Sequence, residues 1–130
     1  MSRRPFLLVA VLAVAGCNGG TVDRHALTND AATLDSVACE GAVVADGVAR
    51  NRTTVFFARE QAEELRIQAS NLADALSKRP TAPGLEDRVR KKSREAARIA
   101  AIIQRLHDHP GDRDGAAVVE RTLKRLGSCP

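Results

Sequence analysis

Apolar residues recur along the chain at alternating spacings of three and four, the period of a helix with one buried face. The first stripe reads Leu27, Ala31, Leu34, Ala38, Gly41, Ala45 and Val48, and Val37 and Val44 widen it. A second reads Val55, Ala58, Ala62, Leu65, Ala69, Leu72 and Leu76. The third reads Leu85, Val89, Lys92, Ala96, Ile99, Ile103 and Leu106, with Lys92 its one charge. A lysine near a bundle end buries its stem and keeps its ammonium in water. A short fourth stripe, Ala116, Val119, Leu123 and Leu126, ends the series.

Breaks separate the stripes. Gly47 and Arg50-Asn51-Arg52-Thr53 divide the first from the second, with Thr53 or Thr54 as N-cap. This is the weakest break, and one long bent helix is the alternative. Pro80-Thr81-Ala82-Pro83-Gly84 stops the second helix firmly. Pro110-Gly111 stops the third, Asp112 or Asp114 is placed to cap the fourth, and Gly127 suits its C-terminus. Short loops between amphipathic helices favour antiparallel neighbours. The expected fold is all-α: a small antiparallel up-down-up-down bundle of three long helices and one short helix.

Composition shapes that bundle. The 130 residues include no Trp, no Tyr and three Phe, while apolar residues reach 44% with alanine prominent. Such a core depends on close helix–helix approach. Phe56 and Phe57 are the only aromatics after the leader, and both are expected to pack near the helix junction, the alternative being that one packs into the bundle end and the other stands exposed as an anchor for a partner.

Before the first stripe lies a segment of another kind. Met1-Ser2-Arg3-Arg4-Pro5 is positive, and Phe6 to Ala15 is an apolar run of ten residues. That is too short for a hydrocarbon core of about 30 Å. A positive start, a short apolar run and small residues make the pattern of a secretory signal. Ala13-Val14-Ala15 suits ordinary signal peptidase, whereas Val14-Ala15-Gly16-Cys17 resembles the bacterial lipobox, with Val14 where that motif usually has Leu. Cysteine counting separates the two. Cys17, Cys39 and Cys129 leave an odd thiol in an exported chain unless Cys17 carries lipid. The resemblance, confined to the leader, implies a bacterial lipoprotein cut before Cys17 and held to a membrane through it. Ser2-Arg3-Arg4-Pro5-Phe6-Leu7 also resembles the twin-arginine export signal, with Leu8 where Lys is common. The expected organisation is signal peptide 1–16, lipidated N-terminus and tether 17–26, and bundle domain 27–130.

The two remaining cysteines test the topology. A fourth helix over about 114–126 descends beside the first for ~20 Å. It then delivers Cys129 to about the height of Cys39. In an oxidising compartment the pair is expected to form a disulfide stapling the bundle.

Charge adds one feature. From Cys17 to Asp87 there are seven Lys and Arg against eleven Asp and Glu; from Arg88 to Pro130, eleven against five. Arg88, Arg90, Lys91, Lys92, Arg94 and Arg98 fall within eleven positions against Glu95 alone. Such a helix suits anionic lipid head groups, an acidic envelope protein or polymer, or the acidic face of a neighbouring copy; a solvated face balanced within the bundle is the plainer account. Nucleic acid is not expected, because export removes the usual target and only Phe56 and Phe57 offer stacking surfaces.

Chemistry is sparse. His107-Asp108-His109 offers ligands in a loop, but a tight metal site wants three or four ligands in fixed geometry, and the favoured account is that His107 ends a helix, where a cation suits the dipole. Asp112-Arg113-Asp114-Gly115 resembles part of a calcium loop, yet Pro110 and Arg121 stand where acidic ligands belong. Glu60, Glu63 and Glu64 suit a helix N-terminus. The sequence holds no Glu-x-x-His, His-Glu-x-x-His, Gly-x-Ser-x-Gly or phosphate-cradling glycine loop. No cofactor, metal site or catalytic activity is expected. The expectation is a non-enzymatic interaction or scaffold module, lipid-anchored on the extracytoplasmic side of the cell envelope. The alternative is a small-ligand or metal-binding lipoprotein.

Overall fold

The computed structural model describes residues 20–130. Four helices follow in order: α1 Arg24–Ala49, α2 Val55–Lys78, α3 Glu86–Asp108 and α4 Arg113–Leu126. They pack as the expected antiparallel bundle, α1 beside α2 and α4, and α3 beside α2 and α4. Three helices are long and one is short, and Cys39 and Cys129 are bonded with Cα atoms 5.6 Å apart. Among the described residues no helix is long and apolar enough to cross a membrane.

Local chemistry explains each boundary. Asp23, Thr54 and Asp112 cap α1, α2 and α4, accepting from the amides of Ala26, Phe57 and Gly115. The weakest break is a full stop. Asn51 takes a left-handed φ of 56°. Its amide and that of Arg52 donate to the carbonyls of Val48 and Gly47, closing the end of α1. Asparagine tolerates this conformation because its short polar side chain bonds locally. At the end of α4 the left-handed residue is Ser128, φ 50°, and not Gly127. Gly127 serves close approach instead. A Cβ there would stand 2.9 Å from that of Ala38 and 3.0 Å from Cys39 Sγ.

The core has two parts. The larger joins all four helices around Leu34, Ala38, Ala42, Ala62, Ile99, Ile103, Leu106 and Leu123. Small residues let the helices close on one another: a Cβ on Gly41 would lie 2.9 Å from Leu123 Cδ1. The smaller part joins Val22, Leu27, Leu76, Leu85 and Val89 at the end where α1 begins.

The fold starts earlier than the apolar period indicates. Residues 20–26, expected in the tether, belong to the structure. Val22 is wholly buried. Its amide donates to Pro80 at 2.7 Å, and its carbonyl accepts from Ala82 at 3.0 Å, a single parallel bridge across the α2–α3 loop. One isolated apolar residue has no period, so the stripe begins only at Leu27.

Two further expectations change. Phe56 and Phe57 do not pack into the junction; they are 74% and 52% exposed, and Val55 is exposed beside them. The buried stripe of α2 opens at Ala58, so the first turn projects past the end of the core. Lys92 is half-buried on the core stripe, and its ammonium meets Glu95 at 3.1 Å.

Candidate functional site

The six cations of α3 divide between two faces. Arg88, Lys91 and Lys92 recur with Glu95 at helical spacing and turn toward α1. Arg90, Arg94 and Arg98 form an exposed row at spacings of four. Arg90 meets Asp87 at 3.3 Å in an exposed pair. Arg88, Lys91, Arg94 and Arg98 make no ion pair among the described residues.

Between the first face and α1 runs an open groove of about 410 Å³, lined by Arg24, Leu27, Thr28, Ala31, Arg88, Lys91, Lys92 and Glu95. Four cations therefore face one carboxylate, which Lys92 already engages, over a floor of Leu27 and Ala31. Sequence reasoning found the α3 cations but missed Arg24 and the groove itself. The groove follows from the length of α4, 14 residues against 23 to 26 in the other helices. Gly127, just past α4, rests against Asp35, Ala38 and Cys39, roughly halfway along α1.

The facing stripes record that limit. On α3, Arg88, Lys91 and Glu95 precede Ile99, Ile102 and Leu106 on one face, and only the last three are buried. On α1, Thr28, Ala31 and Asp35 precede Ala38, Ala42 and Ala45, and again only the last three are buried. Where α4 is present the stripes are apolar; where it is absent they are polar or half-exposed.

The other candidates separate. His107 Nδ1 lies 3.2 Å from Asp108 and its Nε2 3.8 Å from Glu63, while exposed His109 ends the helix. Hydrogen bonds from the Gln104 amide, then from His107, hold the Asp108 carboxyl below its ordinary range. Arg66, 2.7 Å from Glu63, does the same for that carboxyl. Among the described residues no three metal-ligating side chains gather into a cluster. Asp112 caps α4, and Asp114 sits in its first turn. No buried polar or charged residue occurs among the described residues. At the far end of the bundle Phe57, Val43, Val44, Gly47 and Leu65 line a second, mostly apolar groove of about 420 Å³. Cys17 and the whole leader lie outside the described residues.

No family model, curated protein or solved structure matches the chain.

Proposed function

We propose that the chain is a bacterial lipoprotein of the cell envelope, held at the extracytoplasmic side of a membrane through lipid on Cys17. Its bundle acts as a non-enzymatic interaction or scaffold module, and the α3 cations supply an electrostatic contact with an anionic surface. One observation carries this reading: the end of the bundle where the chain arrives from Cys17 is also where the cationic groove opens. The Gly20 carbonyl accepts from Arg79 Nε at 2.9 Å, so the chain is fixed to the bundle three residues after Cys17. Three residues reach at most about 11 Å. Each Lys or Arg near an anionic bilayer adds about 1 kcal/mol of attraction, an effect that dies away within a Debye length of about 8 Å. Placing the cations at this end makes that attraction effective; at the far end of α1, about 39 Å away, it would be screened.

Intact mass of the membrane-extracted protein, with and without thiol reduction, tests the anchor. The expected mass is Cys17–Pro130 plus acyl chains, rising by two hydrogen atoms on reduction. An unlipidated chain beginning at Gly16 would sink the proposal.

A second reading, binding of a small apolar ligand, draws support from the apolar groove beside Phe57. It expects saturable binding of an environment-sensitive apolar dye that Phe57→Ser abolishes while the helical circular-dichroism signal is kept.

A further inference from the structure

The groove between α1 and α3 occupies the place of the missing half of a fourth helix. A protein that merely lacked this half-helix would leave an uncharged polar seam there, since like charges across a cleft repel. This chain instead sets Arg24 of α1 against Arg88 and Lys91 of α3, none of them paired among the described residues. Lys92 adds a fourth cation, partly neutralised by Glu95. Facing cations over Leu27 and Ala31 call for an anion with apolar atoms attached.

We infer that this groove holds the phosphate head group of one anionic phospholipid, lodged between Arg24, Arg88 and Lys91 with its glycerol end over Leu27 and Ala31. The inference rests on the reading of the chain as membrane-anchored, and it changes the contact from a diffuse attraction to a defined site. Two observations favour a lipid over an acidic helix completing the bundle. A volume of about 410 Å³ is that of a small-molecule site. The groove also lies at the end of the bundle fixed to the chain just after Cys17, where bilayer head groups are the most abundant anions. Arg24 and Arg88 present planar donor forks suited to phosphate oxygens, and Lys91 a point charge beside them.

Native mass spectrometry of the detergent-extracted full-length product, titrated with phosphatidylglycerol, tests the site. Two variant pairs remove equal charge from α3. Arg88→Gln with Lys91→Gln empties the groove wall, and Arg90→Gln with Arg94→Gln changes the outer row. All four side chains are exposed, so both variants should keep the parent melting temperature. The expected result is one bound phosphatidylglycerol, weakened about thirtyfold by the first pair and no more than about twofold by the second. Equal losses from both pairs would mean a diffuse field and overturn the site. Equal binding of phosphatidylcholine would overturn it too, as would displacement of the lipid by inorganic phosphate at equal concentration. Acylation is read in the same spectra. An acylated chain without the adduct overturns the groove and keeps the anchor. An unacylated chain that binds through Arg88 and Lys91 keeps the groove and removes the anchor.

Discussion

The two halves of this bundle solve the same packing problem differently. In the half containing the α1–α2 and α3–α4 turns, four helices meet, glycine and alanine bring them close, and a disulfide ties α4 to α1. In the half where α1 begins, three helices remain, and an extended segment at Val22 does part of the work of a fourth. The first half is filled to contact, with Leu123 and Ile103 both pressed against Gly41. The second is left open along one side and lined with charge. A short fourth helix thus divides one fold into a closed structural end and an end with a free, chemically distinct seam.

Removing the staple should have the largest effect. Cys39→Ala with Cys129→Ala opens a loop of 90 residues, and urea unfolding should report a loss of about 4.6 kcal/mol, the chain-entropy figure for such a loop. Amide exchange should accelerate in α4 far more than around Val22. Equal acceleration at both ends would mean that the halves unfold as one.

Leu123→Ala comes next. It empties a fully buried site in the closed half and should cost about 3 kcal/mol. Val22→Ala, in the open half, removes less volume and should cost about 1–2 kcal/mol. The two side chains belong to different core clusters. Their effects should therefore add to within about 0.5 kcal/mol in the double variant, and a clear departure would refute the division.

Acid should act on the closed half, and weakly. The carboxyls of Glu63 and Asp108 lie below their ordinary range, so the stabilisation they give is complete above the unfolded values, roughly pH 4–4.5. It is lost as pH falls through the lower folded values. The melting temperature should therefore fall below about pH 4.5, and Arg66→Gln should flatten part of that slope by removing the main partner of Glu63. Asp108 is exposed and Glu63 only half-buried, so the change is the smallest of the set.

Helices α1 to α4 were legible because each carries an apolar stripe at helical period, long in three and short in α4, and the disulfide because helix lengths set the heights of its cysteines. What escaped was local or relational. Val22 is a single residue whose burial depends on a loop sixty residues away. Phe56 and Phe57 are apolar in type, yet they lie just before the buried stripe, where position along the bundle decides exposure. The α3 cations stood out as a cluster, whereas their division into two faces became meaningful only beside the end of α4. In retrospect the change from Arg88, Lys91 and Glu95 to Ile99, Ile102 and Leu106 on one face marks where a neighbour stops.

The bridge at Val22 has a mechanical consequence. A pull on the chain ahead of Gly20 does not reach α1 as a simple tug on its first turn. It loads the Arg79–Gly20 bond and the two backbone bonds of Val22 together, and through them the loop joining α2 to α3. Force is thereby shared among three helices before any of them can fray. A bundle attached by α1 alone would peel open turn by turn, but this one must yield at several bonds at once.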